Sequence, residues 1–342
     1  MKNLSATFTL YALLLVSLIT ISFNGRSSVN AESENNQLGL SLQAASTAKL
    51  TADTGVALPR ANIYLLTSDN MIYVLRPGLR AYVQLGRVPR GNGNIIGIDF
   101  RVADGNNNQV YGLTDTGKLL LIDLRYVSSR PTVVSTLSPR FSGGFQSLMD
   151  FNPVVNALRI IGSNDQNYAA VNSNGGNLNL TAVQTALTYA ANDVNAGVNP
   201  SITGGTYTNN FVGAPNTLFY GIDYDLDTFV TISTVNAAGS SNTSGGVLQT
   251  IGQIVNTYGN PINLNPMVDI DVYSDENRVN KLVGINNETI FTIDLAQINP
   301  SLALGTTQKV VARTAKLPAF FPADSFIDIA ITPPGGNRQS GW

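Results

Sequence analysis

The chain has 342 residues, 43% of them hydrophobic and only 12% charged, with 20 basic and 22 acidic side chains and neither cysteine nor histidine. That composition excludes disulfides, thiolate or imidazole metal sites and any Cys or His nucleophile pair. A near-neutral balance without a Lys/Arg cluster gives no footing for nucleic acid.

At the N-terminus Lys2 precedes a polar spacer and the apolar run Leu10 to Phe23, followed by the small-x-small pattern Val29-Asn30-Ala31. This reads as a signal peptide over residues 1–31, so the protein is expected to be secreted, periplasmic or at the cell surface. The apolar run is shorter than the ~20 residues a bilayer span needs, and no membrane span is expected after cleavage. Removing Lys2 and Arg26 leaves 18 basic against 22 acidic residues, a net charge of −4. Residues 32–60, polar and rich in Ala, Ser and Thr, read as a linker or a strap against the first repeat. The remaining chain is long enough for one ample core without a partner subunit, and a monomer is expected.

From residue 61 the chain is repetitive. In the stretch Gly97 to Leu124, the run Gly97-Ile98-Asp99-Phe100 is strand-like and the turn formers Asp104 to Asn108 end it. Val110 to Leu113 resume a strand, Thr114-Asp115-Thr116-Gly117 make a hairpin turn, and Lys118 to Leu124 form a third strand. Pro131 to Leu137 supplies a fourth. The apolar-Asp-apolar centre of the first strand returns at Asp150, Asp271 and Asp328, with Thr206 in its place once, at spacings of 51, 56, 65 and 57 residues. On the second strand Gly112, Gly162, Gly221 and Gly284 are aligned. A period near 50 residues with four short strands marks a β-propeller blade, because one small sheet cannot cover both of its faces until neighbours stack on it.

Ile63 to Leu75 has the second strand, turn and third strand of the unit but lacks its first, while Phe326 to Ile331 is a first strand with nothing after it. The fold expected is therefore all-β, a propeller of five four-stranded blades over 61–333, with the C-terminal strand closing the N-terminal blade. Residues 334–342 read as a frayed tail. Between the third and fourth units lies the long insertion Thr181 to Pro200, whose start is expected to form a short helix.

The segments LRIIGSNDQN from Leu158, LTYAANDVN from Leu187, TYTNNFVGA from Thr206, NTLFYGIDYDLDTFVT from Asn216 and LQTIG from Leu248 resemble, in sequence and order, the uncharacterised DUF4394 family. The resemblance covers roughly residues 60–333. It implies an exported bacterial, propeller-like protein and no assigned enzymatic activity. Where the family shows a TGQN-like turn, this chain has Asn164-Asp165-Gln166-Asn167.

In a four-stranded meander the turn between strands two and three lies at the same end as the connection to the next unit. That rim gathers Asp69, Asp115, Asp165, Asp225 and Asn287, together with the insertion carrying Asn192. Turn residues of this kind are ordinarily there because Asp and Asn tolerate αL backbone. The convergence of the third unit's turn with the insertion singles out Arg159, Asn164, Asp165, Asn167, Tyr189, Asp193, Asn195, Asn209 and Asn210 as a polar, amide-rich recognition surface. Asp223, Asp225 and Asp227 alternate across a turn and could clasp Ca²⁺, the one cofactor the sequence admits while requiring none. The inner-strand acids Asp99, Asp150, Asp271 and Asp328 either share a hard cation or, the preferred reading, accept backbone amide hydrogens of neighbouring units.

The function expected is a non-catalytic binding or interaction module for an extracellular protein or a small polar ligand such as a glycan. The alternatives are a metal-dependent hydrolase of lactonase type, which needs oxygen ligands around an open coordination position, and a structural envelope or matrix protein, which needs a flat apolar patch.

Overall fold

Runs of alternating β-branched, aromatic and polar residues become strands along the whole repetitive region. The computed structural model describes residues 51–52, 56–77, 81–171, 178, 180–232, 236, 238–318 and 326–334, all within one unit spanning 45–342. The expected signal peptide, most of the expected strap and residues 335–342 of the expected tail lie outside the described residues.

Strand β1 (Thr51–Ala52) precedes β2 (Ile63–Thr67), β3 (Met71–Arg76) and β4 (Ala81–Arg87). Next come β5 (Ile95–Asp99), β6 (Gln109–Thr114), β7 (Lys118–Asp123) and β8 (Thr132–Thr136), then β9 (Ser147–Asn152), β10 (Ala157–Gly162), β11 (Asn167–Val171) and β12 (Leu180–Val183). After β13 (Thr188–Tyr189) follow β14 (Ile202–Tyr207), β15 (Phe219–Asp223), β16 (Thr228–Ile232) and β17 (Val247–Val255). The last strands are β18 (Asp269–Ser274), β19 (Asn280–Asn286), β20 (Thr289–Ile293), β21 (Val310–Lys316) and β22 (Phe326–Ile331).

These strands form antiparallel meanders of four in the orders β5 to β8, β9 to β12, β14 to β17 and β18 to β21, and a further sheet in the order β22, β2, β3, β4. We number the sheets I (β22, β2, β3, β4) to V (β18 to β21). The ends of β17 and β21 run parallel, Ile254 beside Val310, and join sheets IV and V at their outer edges. In sheet I, Ile63 lies opposite Ile331 and Leu65 opposite Ile329. The inner strands touch in the cyclic order β22, β5, β9, β14, β18 and back to β22. The chain is thus all-β and propeller-like.

Burial falls from the inner strands outward. Every residue of β9, β14 and β22 is buried, whereas β8, at an outer edge, is largely exposed. The apolar side chains gather between successive sheets. Tyr64, Leu66 and Val74 of sheet I meet Ile98, Val110 and Leu120 of sheet II; Tyr111 and Leu113 of sheet II meet Phe151 and Ile160 of sheet III. Equivalent clusters lie between sheets III and IV, IV and V, and V and I. Aromatic pairs cross these seams, Tyr111 with Phe151 at 5.1 Å and Tyr64 with Phe100 at 5.5 Å.

Three local expectations change. The start of the insertion is not helical: Thr181 to Val183 pair with Ala170 to Tyr168 as the outer strand of sheet III, so the insertion begins at Gln184. Gly112, Gly221 and Gly284 share one register, each opposite the residue before the aligned Asp or Thr, but Gly162 lies opposite Ser147 and Ile160 takes the shared position. The described strap residues Thr51 and Ala52 pair with Lys316 and Ala315 of sheet V, and Val56 and Leu58 pack on the cluster between sheets V and I.

Candidate functional site

Some of the turns between the second and third strands tie their sheet to the segments that link it to its neighbour. Asp115 accepts from the backbone and side-chain nitrogens of Asn94, both at 3.0 Å, and so ties its turn to the segment linking sheets I and II. Asp165, with φ 65°, accepts from Asn199 Nδ2 at 3.3 Å, and Asp225 accepts from Ser201 Oγ at 2.7 Å. Both hold the insertion between sheets III and IV. Asp69 pairs with Arg87 at the end of β4, and Asn287 adopts φ 54° in its turn.

Several residues expected on a recognition surface lie inside the molecule. Arg159 is 6% exposed; its guanidinium donates to Asn167 Oδ1 at 2.7 Å, Thr243 Oγ1 at 2.7 Å and Tyr207 Oη at 3.3 Å. Asn167 in turn donates to the carbonyls of Thr185 and Thr243, both at 2.9 Å. This network binds sheet III to sheet IV. Asp193 is likewise buried, accepting from the Thr250 amide and hydroxyl at 2.7 Å, while Asn195 Nδ2 donates to Thr250 Oγ1. Asn164 is exposed and donates to Ser142 Oγ at 3.3 Å.

Asp223, Asp225 and Asp227 serve separate donors. Asp223 is fully buried and accepts from the Tyr189 hydroxyl at 2.7 Å and the Ser201 amide at 3.1 Å. Burial, and then the neighbouring Asp223 carboxylate, push the Tyr189 hydroxyl pKa up. Asp227 accepts the Leu264 amide at 2.8 Å.

Strand β14 starts beside the Asp225 turn and ends at Tyr207, so Asn209 and the buried Asn210, which donates to the Val272 carbonyl, lie toward the opposite end from Asn164 and Asp165. The structure therefore distributes the expected surface over two ends and the interior. Asn209 lines a cavity of about 400 Å³ between sheets IV and V. Its Nδ2 donates to the Asn216 carbonyl and side-chain oxygens at 2.9 and 3.1 Å, and its Oδ1 accepts from Asn280 Nδ2 at 3.0 Å. Leu218, Leu295, Ile298 and Pro300 supply an apolar wall, and Tyr220, stacked on Phe229 at 5.1 Å, also lines the cavity. Burial pushes the Tyr220 hydroxyl pKa to about 12. None of the lining side chains is charged at neutral pH.

On the inner strands the repeated acids accept amide hydrogens from the next sheet. Asp99 Oδ2 takes Phe151 N at 2.7 Å, Asp150 Oδ1 takes Tyr207 N at 3.2 Å, Asp271 Oδ2 takes Ile331 N at 2.6 Å and Asp328 Oδ1 takes Ile98 N at 3.0 Å. A fifth acid, Asp269, lies on the same strand as Asp271 and accepts from Ile329 N at 3.1 Å. It falls outside the aligned position, yet the alternation of Val268-Asp269-Ile270-Asp271 puts both acids on one face. One oxygen each of Asp99, Asp150 and Asp271 lie within 4.8 Å of one another. Burial raises the pKa of all five carboxyls, with Asp271 reaching about 7, and neighbouring carboxylates add to the rise at Asp99, Asp150, Asp269 and Asp328.

A family described as a domain of unknown function, DUF4394, matches residues 77–312. No match was found among curated proteins. Solved structures similar to the chain include a protein of unknown function from Bacteroides thetaiotaomicron, 12% identical with a TM-score of 0.43, covering 84% of this chain and 68% of that one. The β-propeller domain of Cps50 (Swd1) from Myceliophteria thermophila is 12% identical with a TM-score of 0.36, covering 74% and 73%. Regucalcin from Agrobacterium tumefaciens, a calcium-binding protein, is 10% identical with a TM-score of 0.39, covering 77% and 76%.

Proposed function

The chain belongs to the DUF4394 family, and on that premise we propose that it is an exported, five-bladed β-propeller acting as a non-catalytic binding module for a small, neutral, polyhydroxylated ligand such as a glycan residue. Support for the closed ring comes from the pairing of β22 with β2 and the cyclic contacts of the inner strands. Export rests on the apolar and small-x-small pattern of the first 31 residues.

The observation that carries the binding role is the uncharged cavity between sheets IV and V. Asn209, Asn216 and Asn280 offer amide donors and acceptors beside the apolar wall of Leu218, Leu295 and Ile298. A sugar ring has the same division, hydroxyls around its rim and C–H groups on its faces, and the cavity volume falls within the range of small-molecule sites. The one titratable side chain on the lining, Tyr220, is pushed by burial to a pKa of about 12, which disfavours acid–base chemistry there near neutral pH. The carboxylates that do converge, Asp99, Asp150 and Asp271, are buried, which disfavours a hydrolase with an open coordination position.

The test is a screen of neutral and charged oligosaccharides by thermal shift and calorimetry, followed by Asn216→Asp. That change keeps the acceptor for Asn209 and places a charge in a neutral site. Binding of a neutral saccharide weakened about tenfold or more by the variant supports the reading, since a single lost hydrogen bond of about 1.4 kcal/mol gives that factor. Absence of any saccharide binding, or binding that Asn216→Asp leaves unchanged, refutes it.

A further inference from the structure

The amide hydrogen bonds on the inner strands fix where each axial carboxylate sits, but they leave its charge unbalanced. Among the described residues no ion pair reaches Asp99, Asp150, Asp269, Asp271 or Asp328, although all five are at most 5% exposed. Burying even one carboxylate without a counter-charge is costly.

Two geometric facts bear on what balances them. The oxygens of Asp99, Asp150 and Asp271 all lie within 4.8 Å of one another. A cation bound at ~2.4 Å accommodates ligand oxygens up to ~4.8 Å apart, so all three fit around one ion of calcium size. Independently, Asp328 Oδ2 is buried and has no hydrogen-bond partner among the described residues. A Cβ placed on Gly97 would come within 3.0 Å of that oxygen and 2.7 Å of Met149 Cγ. The oxygen therefore lies in the interior where β22, β5 and β9 meet.

We propose that the axis holds one hard divalent cation of calcium size, ligated by Asp99, Asp150 and Asp271, with the free oxygen of Asp328 reaching it through a bridging water. A carboxylate oxygen has two lone pairs, so an amide hydrogen bond on one does not prevent it from donating the other to a metal. The ligands come from sheets II, III and V and the water-bridged Asp328 from sheet I, so the ion joins four sheets. It is a structural site, separate from the cavity between sheets IV and V and independent of the ligand assigned to that cavity.

The test is elemental analysis of the full-length protein, purified without chelator, together with Asp271→Asn and the control Asp225→Asn, an exposed turn residue. Expected are about one equivalent of calcium in the wild type and in Asp225→Asn and its loss in Asp271→Asn. Should Asp271→Asn not fold, the wild type decides: stripping with chelator lowers its Tm by about 5 °C or more, and millimolar calcium restores it. The proposal is overturned by substoichiometric metal in the wild type together with a Tm that neither chelator nor calcium moves, the result expected when protons alone neutralise the cluster. It is also overturned by a folded Asp271→Asn variant that keeps its full metal content.

Discussion

The carboxylate of Asp328, on the last strand of the repeat region, accepts the backbone hydrogen of Ile98 at 3.0 Å across 230 residues of sequence. Sheet I exists as four strands only because β22 supplies its inner member. Deleting residues 326–342 removes that strand, exposes the buried edge of β2 and uncovers Ile98 N. We expect the truncated chain to be protease-sensitive and to lack a cooperative melting transition. Phe326→Ala, which removes a fully buried ring packed edge-on to Tyr73 at 5.8 Å, is expected to cost about 3–5 kcal/mol. Chemical denaturation measures it; a loss below about 1 kcal/mol contradicts the closure argument.

The axial carboxyls make stability depend on pH in a direction set by what neutralises them. In metal-stripped protein their pKa values are raised by burial, so the fold holds their protons more tightly than the unfolded chain, where Asp titrates near ~3.9. Their stabilising contribution is full below that value and is lost as pH rises through about 7, the value for Asp271. Asp69, Asp123 and Asp275 have lowered pKa values and act in the opposite sense, but below the range in which the axial group titrates. Melting temperatures from pH 4.5 to 8 are expected to fall in stripped protein and to hold or rise with calcium present. Identical slopes under both conditions count against the axial assignment.

Arg159 joins sheets III and IV through neutral partners, with no ion pair among the described residues. Arg159→Ala leaves Asn167 Oδ1 without its guanidinium donor and opens a cavity, and is expected to cost about 3 kcal/mol or more. Arg159→Lys keeps the charge but loses the planar fork, at about 1–3 kcal/mol. Neither variant, while folded, should alter saccharide affinity at the cavity between sheets IV and V. A folded variant with normal stability and lost affinity would return Arg159 to the recognition surface.

Gly284 lies beneath the ring of Phe291, and a Cβ there would stand 2.2 Å from Phe291 Cζ. Gly284→Ala is expected to destabilise by about 1–3 kcal/mol through overpacking. Pairing it with Phe291→Leu should recover part of that loss, giving a coupling energy above about 0.5 kcal/mol in a double-mutant cycle. Strict additivity would show that the ring is free to move aside.

Most of the architecture could be read from the recurrence of one strand. The apolar-Asp-apolar pattern located the inner strands because a buried carboxylate is tolerated only where a fixed donor meets it, and Phe151, Tyr207, Ile331 and Ile98 of the following sheets each supply a backbone amide, though not at one equivalent position. Asp269 escaped because the alignment counted one acid per repeat, although its place two residues before Asp271 was visible. Thr181 to Val183 were misread since Ala and Thr fit a helix or an edge strand equally well until a partner such as β11 is known. The recognition surface was the least legible. Arg159, Asn167 and Asp193 are polar in sequence for the same reason that ligand-binding residues are, yet here they satisfy one another. The pairing of Asn216 with Asn209 and Asn280 depends on two sheets meeting, which spacing along the chain does not encode.

The contact between Ile63 and Ile331 sets an order on how this molecule is made. Sheets II to V form from neighbouring segments, but sheet I is complete only once the final strand has joined it. Until then β2, composed of Ile63, Tyr64, Leu65, Leu66 and Thr67, is a bare apolar ribbon with an unpaired backbone edge. A nascent chain stalled shortly before Phe326 would carry a sticky hairpin available to any other extended segment. The final strand therefore covers a backbone edge that would otherwise be open to any other extended segment.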